Sequence, residues 1–246
     1  MSKADQTAFS GEELRILKEL ENYDTPSITN VVATYPNAST CLKLYDAWED
    51  NWYTDQSLHA MYPELGRTCG VAVTCVYSIP GYGEDSGLTL RDVLHAVKDS
   101  PKPVVLVIKQ HVPDHLKGKI GLCGGNMMTA FRALGAVAVI TDGPSRDVDE
   151  VRGMGMQYML TGTCAGHGPF LVEKVNVPVQ VCGMDVQPGE IIHMDENGAV
   201  KFPRDCLKHV LENCRILAEE EKLKMSKMAA ADDPDLIFET MKGNYR

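Results

Sequence analysis

The sequence predicts an α/β protein with a mixed sheet, a hairpin-rich second half and C-terminal helices. Two strand and helix alternations occur between residues 68 and 154, and their strands at 103–108 and 136–141 are apolar throughout, as in sheets covered on both faces. Short alternating stretches with closely spaced turns follow residue 157. From residue 205 the apolar positions recur at helical spacing.

The elements follow in order. Ser10-Gly11-Glu12-Glu13 has the spacing of a capping box, in which hydroxyl and carboxylate each satisfy the other residue's backbone N–H. Leu14, Leu17 and Leu20 then recur on one face, so a helix is expected over 11–22. Thr25 is expected to cap a short second helix with Pro26 at its first position, where a missing N–H costs nothing. Residues 35–65 are rich in Tyr, Trp, Asn and Asp without periodicity and read as irregular. A strand is expected over 68–77, a helix after Thr89 with Leu90, Val93, Leu94 and Val97 on one face, and a buried strand over 103–108. A helix over 127–134, a strand over 136–141 and a short helix over 147–154 complete a second unit, for which parallel pairing is the natural outcome. Val172, Val175, Val177, Val179 and Val181, with turns at Gly183-Met184-Asp185, Gln187-Pro188-Gly189-Glu190 and Glu196-Asn197-Gly198, imply antiparallel hairpins. Leu207, Val210, Leu211, Cys214 and Leu217 mark one long helix, and Asp233-Pro234 starts a last one ending at Gly243.

The composition of these 246 residues, 44% hydrophobic and 24% charged, is that of a globular protein and excludes collagenous, disordered and disulfide-scaffold classes. A formal charge of −10 would repel a phosphate backbone, and no basic cluster offsets it, so no nucleic-acid partner is expected. Met1-Ser2-Lys3-Ala4-Asp5-Gln6 lacks a basic segment followed by an apolar one, and no apolar run approaches the roughly 18 residues of a spanning helix. No membrane partner and a cytoplasmic location are therefore expected. The eight cysteines form no Cys-x-x-Cys pair and read as reduced, mostly buried thiols rather than zinc ligands.

Two segments can carry chemistry. Gly124-Gly125-Asn126 leads into a helix beginning near Asn126 or Met127, so free backbone N–H groups and the positive end of the helix dipole face outward, which suits an anion. Two glycines that merely permit a tight turn are the simpler account. Asp142-Gly143-Pro144 then turns the chain out of the 136–141 strand and places Arg146 and Asp147 at a carboxyl edge of the sheet, where open α/β folds bind ligands. Arg146 offers a planar fork for a carboxylate, and Asp147 a hard oxygen ligand for magnesium or manganese. Against this stands a plain helix start, with Asp147, Asp149 and Glu150 complementing the dipole and Arg146 in solvent.

At these residues the chain resembles the RraA-like proteins, which include the class II 4-hydroxy-4-methyl-2-oxoglutarate aldolases and a regulator of RNase E activity. The resemblance runs through Thr25-Pro26-Ser27-Ile28-Thr29-Asn30-Val31, residues 66–74, residues 124–135 and 136–152, His167-Gly168, and residues 177–203. It implies an RraA-like layered α/β domain over 1–205 with a helical extension over 206–246, and a homotrimer or higher homo-oligomer with sites at subunit boundaries. It also implies that Arg146 and the amides of Gly124, Gly125, Asn126 and Met127 bind pyruvate, and that Asp147 ligates a divalent cation, Mg2+ or Mn2+. The family's aldolases carry an acidic residue, twenty residues and then Arg-Asp, and the acid is thought to orient the water that shuttles a proton. Here that position is Gly125. Replacement carboxylates could come from Glu173, Asp195, Glu196 or a neighbouring subunit.

The expected function is a divalent-metal-dependent lyase acting on small 2-oxo acids through a metal-stabilised enolate. The reaction is retro-aldol cleavage releasing pyruvate or decarboxylation of an oxaloacetate-like acid, with Arg146 and Asp147 as the catalytic pair. Decarboxylation needs no base to start and tolerates Gly125 better. The competing reading is a non-catalytic RraA-like regulator or binding protein; a third is a related enzyme with a bulkier substrate. Other residues carry less. Pro113 interrupts the helix that would align His111 and His115 on a metal, and His167 reads as a structural residue of a glycine-rich turn. Met154, Met156 and Met159 read as core filler, and Trp48, Trp52 and Tyr53 as aromatics buried for packing.

Overall fold

Capping decides where the chain enters its first helices. In the computed structural model, which describes residues 8–36 and 38–243, α1 (Gly11–Leu20) starts at the expected box: Ser10 Oγ accepts the Glu13 N–H, and Glu13 accepts the Ser10 N–H at 2.7 Å. The second helix, α2 (Thr25–Val32), differs from expectation by one residue. Its cap is Asp24, whose Oδ1 accepts the Ser27 N–H at 2.9 Å, and Thr25 is already helical. An aspartate caps as well as a threonine, and the shift frees Thr25 to bond inward to the sheet.

The remaining elements in chain order are β1 (His59–Ala60), β2 (Thr68–Ser78), α3 (Leu90–Asp99), β3 (Val104–Gln110), α4 (Asp114–Lys117), α5 (Gly125–Ala133), β4 (Ala136–Thr141), α6 (Val148–Arg152), β5 (Gln157–Leu160), β6 (Leu171–Val175), β7 (Val179–Val181), β8 (Met184–Val186), β9 (Ile191–Asp195), β10 (Gly198–Phe202), α7 (Leu207–Ala229) and α8 (Pro234–Met241). The main sheet runs β1-β5-β4-β3-β2-β9-β10, with β6 also on β2; β7 and β8 form a separate hairpin. Neighbours among β2, β3, β4 and β5 are parallel, and every other pairing is antiparallel, so the sheet is mixed as predicted.

Both faces of the parallel strands are covered, which explains their unbroken apolar runs. In β3, Leu106 and Ile108 face the larger core with Leu20, Ile28, Phe131, Tyr158 and Val210, brought by the helices and β5. Val105 and Val107 face the opposite core with Val181, Met184 and Val186 of the β7–β8 hairpin. Leu207, Val210, Leu211 and Cys214 of α7 are buried in the larger core.

One strand has no signal in the sequence. β5 is four consecutive buried residues without alternation, and its polar member Gln157 is tolerated because Nε2 donates to the carbonyls of Tyr62 at 3.1 Å and Gly66 at 2.7 Å. Among its described residues, the irregular 35–65 stretch holds β1, one short 3-10 turn and isolated bridges at Tyr45 and Tyr53. There Trp52 is 1% exposed and stacks on Tyr45, whereas Trp48 is 89% exposed, against the expectation that it is buried. All eight cysteines are free. Among the described residues no helix is long and apolar enough to cross a membrane. The leader expectation falls on residues 1–6, outside the described residues.

Candidate active site

The edge where β4 ends is held from beneath by buried hydroxyls. Ser145 is fully buried, its N–H bonded to the Gly162 carbonyl at 3.1 Å and its carbonyl to the Cys164 N–H at 2.9 Å. The Ser145 and Tyr158 hydroxyls meet each other and the Cys123 carbonyl, and the Tyr62 hydroxyl donates to the Val148 carbonyl. Burial pushes the Tyr62 phenol up to about 12 and that of Tyr158 higher still, so both remain donors at neutral pH. Arg146 and Asp147 thus lie between two pinned neighbours.

Asp147 occupies the N-cap position of α6 without a side-chain capping bond to it, and has a left-handed backbone, φ 59° and ψ 35°, a region aspartate tolerates better than most side chains. Its Oδ2 accepts the N–H of Gly125, the first residue of α5, at 3.0 Å, and lies 3.6 Å from Arg146 Nε. The positive end of α5 and a guanidinium therefore face one carboxylate oxygen. The side chains of Arg146 and Asp147 remain 35% and 34% exposed, so the cluster opens to solvent. Among the described residues, Asp147 Oδ1 accepts no hydrogen bond. The first-turn N–H groups of Asn126 and Met127 have no acceptor within the helix.

Neighbouring side chains crowd the space beside both glycines. Gly124 has φ −100°, and Gly125 is helical. A Cβ on Gly124 would run into Asp147 Oδ2 and stand 3.1 Å from Arg146 Nε, and one on Gly125 would lie 2.5 Å from both carboxylate oxygens of Glu150. The segments singled out in the sequence, Gly124 to Met127 and Arg146-Asp147, therefore meet in one place. Sequence reasoning missed the supports Tyr62, Ser145 and Tyr158, and it treated Glu150 as dipole complement only. The available signal was spacing, because residues 147 and 150 share a face one turn apart.

The other carboxylates considered are engaged elsewhere or lie in turns. Glu173 is buried and pairs with His111 Nδ1 at 2.7 Å, Asp195 is buried against α2, and Glu196 is an exposed turn residue. His115 lies in α4, and the His167 ring stacks on Phe170. Met156 and Met159 are buried in the core, and Met154 packs against it. A polar cavity of about 400 Å³ lies near the ends of β3 and β4, but its Lys109 and Lys117 both bind the buried Asp142, at 2.6 and 2.9 Å.

No group of three or more His, Cys, Asp or Glu side chains among the described residues forms a metal cage. Magnesium is more often held by one or two carboxylates, with substrate and water oxygens completing its shell. Asp147, with an unpartnered oxygen at an open edge, fits that mode.

Comparison with known proteins gives the family. A family model described as RraA-like, Aldolase/RraA, matches residues 41–201. An uncharacterized protein of Methanocaldococcus jannaschii is 28% identical over 118 residues, 48% of this chain and 57% of that one. Protein DlpA of Legionella pneumophila is 27% identical over 57% of this chain and 23% of its own length. A Thermus thermophilus protein with the provisional name 4-hydroxy-4-methyl-2-oxoglutarate aldolase is 30% identical over 35% of this chain and 52% of its own. The chain thus spans between just under a quarter and somewhat over half of these relatives' lengths. Among solved structures, a Pseudomonas syringae protein superposes with a TM-score of 0.70 at 19% identity, covering 96% of both chains. Streptomyces coelicolor RraAS2, described as an unusual member of the RNase ES inhibitor RraA family, superposes with a TM-score of 0.64 at 20% identity, covering 90% of this chain and 98% of its own. Fold and family model agree: the chain belongs to the RraA-like (Aldolase/RraA) family, which includes both aldolases and RNase E regulators.

Proposed function

We propose that the protein is a divalent-metal-dependent lyase of small 2-oxo acids, cleaving a 4-hydroxy-2-oxo acid to pyruvate or decarboxylating an oxaloacetate-like acid. The observation that carries this reading is the convergence on Asp147 Oδ2 of the Gly125 N–H at 3.0 Å and Arg146 Nε at 3.6 Å, at an edge open to solvent. Asp147 would hold the cation, which supplies Lewis acidity to the enolate left when the C–C bond breaks. Arg146 grips the substrate carboxylate with its planar fork, and the N–H groups of Asn126 and Met127 approach the same carboxylate from α5. The pinned Ser145 and Val148 keep Arg146 and Asp147 in register, so little reorganisation is needed on binding. A regulator that worked only through its surface would have no use for a partly exposed carboxylate facing an arginine and a helix start. We further infer a homotrimer or larger homo-oligomer, with residues 206–246 as a helical extension of the 1–205 domain.

The test is exchange of the pyruvate methyl protons in D2O, followed by NMR with Mg2+ or Mn2+ present. Cation-dependent exchange is expected, because it needs only enolate formation. Absence of exchange with either cation contradicts the reading and favours the binding-protein alternative.

A further inference from the structure

Carbon–carbon cleavage in this site needs a group that accepts the proton of the substrate hydroxyl and another, or the same one, that delivers a proton to C3. Asp147 is poorly placed for this, since its Oδ2 already accepts the Gly125 N–H at 3.0 Å and lies 3.6 Å from Arg146 Nε. Glu150 differs. It is exposed, lies in α6 three residues on, and among the described residues has no hydrogen-bond or ion-pair partner. Its two carboxylate oxygens lie 2.5 Å from the point where a Cβ on Gly125 would stand.

Resting on the lyase reading, we propose that Glu150 is the proton carrier of this site, with its carboxylate occupying the space that a side chain at position 125 would otherwise fill. Gly125 is then the residue that admits Glu150, and the site keeps its second carboxylate on α6 instead of α5. The step balances without a redox partner. Glu150 takes the C4 hydroxyl proton, directly or through one water; the O–H electron pair becomes the new C=O bond; the C3–C4 pair becomes the enolate. The carbonyl product leaves, Glu150 returns the proton to C3, and pyruvate and the Glu150 carboxylate result. With pyruvate alone the same group removes a methyl proton and returns a deuteron.

The experiment uses the full chain with Mg2+ or Mn2+ in D2O and measures methyl exchange by NMR and pyruvate affinity by calorimetry. Glu150→Gln is expected to lose about 10²- to 10⁴-fold in exchange rate with affinity and melting temperature unchanged. Gly125→Asp combined with Glu150→Ala moves the carboxylate back to the loop and should recover at least about tenfold over Glu150→Ala alone. Gly125→Ala with Glu150→Ala should recover nothing. The proposal is overturned if Glu150→Gln exchanges at the wild-type rate, if it loses pyruvate affinity in step with exchange, or if the Asp swap does no better than the Ala control. Wild-type protein that does not exchange at all overturns the lyase reading and this inference with it, whereas exchange that survives Glu150→Gln overturns this inference alone.

Discussion

The helices α2 and α5 begin with the same device and put it to different uses. In each, the first backbone N–H is given to an aspartate from elsewhere in the chain: Thr25 to Asp195 Oδ2 at 2.8 Å, and Gly125 to Asp147 Oδ2 at 3.0 Å. At α2 the arrangement is closed. Asp195 is fully buried, and its other oxygen accepts the Asn197 N–H at 2.8 Å and Nδ2–H at 3.1 Å. Beside it the Thr25 hydroxyl lies 3.0 Å from His193 Nδ1, whose Nε2 lies 3.2 Å from the Leu20 carbonyl. A carbonyl only accepts, so Nε2 carries the proton and Nδ1 accepts from Thr25. These bonds tie β9 to α2 through Thr25, to the end of α1 through Leu20, and to the turn at Asn197. At α5 one carboxylate oxygen accepts no hydrogen bond among the described residues, the neighbouring positions are glycines, and solvent reaches the cluster. A carboxylate at a helix start holds the fold when both its oxygens are engaged, and is available for chemistry when one is left open.

The comparison predicts opposite outcomes for equivalent substitutions. The largest effect should come from Asp147→Asn: pyruvate methyl exchange falls by about 10³-fold, roughly 4 kcal/mol of barrier, because a hard anionic ligand is lost. Its denaturation midpoint should stay within about 0.5 kcal/mol of wild type, because the site is at an exposed edge. Asp195→Ala should do the reverse, losing on the order of 3 kcal/mol in urea denaturation because it strands the buried N–H of Thr25 and removes the acceptor of Asn197, while exchange per folded molecule is unchanged. Loss of activity without loss of stability at Asp195 would break the distinction.

A pH titration sharpens the closed half. Burial lowers the His193 pKa from 6.5 to about 4, with Asp195 opposing only in part. Between those values the unfolded chain binds a proton that the folded chain does not, so stability rises with pH and is lost as pH falls from 6.5 towards 4. The loss should approach about 3 kcal/mol. Urea midpoints measured across that window should show the slope in the wild type and a flatter one in His193→Gln. The smallest effect expected is at the open edge: Arg146→Lys should raise KM for the 2-oxo acid about tenfold, near 1.4 kcal/mol, since a point charge cannot reproduce the fork. A near-normal KM would remove Arg146 from carboxylate binding.

These two regions also show what the sequence makes legible. The capping box at Ser10 and Glu13, the unbroken apolar runs of β3 and β4 and the turn-separated hairpins announce themselves because each is a local pattern with a local cause. β5 was hidden because a four-residue strand buried on both faces has no alternation, and Gln157 looks out of place until the Tyr62 and Gly66 carbonyls are beside it. The closed cluster was invisible for the same reason, since Thr25 and His193 are 168 positions apart. The open site was partly visible: Gly124-Gly125 and Arg146-Asp147 each carry a chemical signature, whereas the hydroxyls beneath them and the nearness of Glu150 to Gly125 are set by tertiary packing.

The most direct test of the distinction is calorimetric titration of Mn2+, with pyruvate present, into the wild type, Asp147→Asn and Asp195→Asn. The account predicts cation binding in the wild type, its loss in Asp147→Asn, and wild-type affinity in the folded fraction of Asp195→Asn. Equal affinity in the wild type and Asp147→Asn, or loss in Asp195→Asn alone, would contradict it.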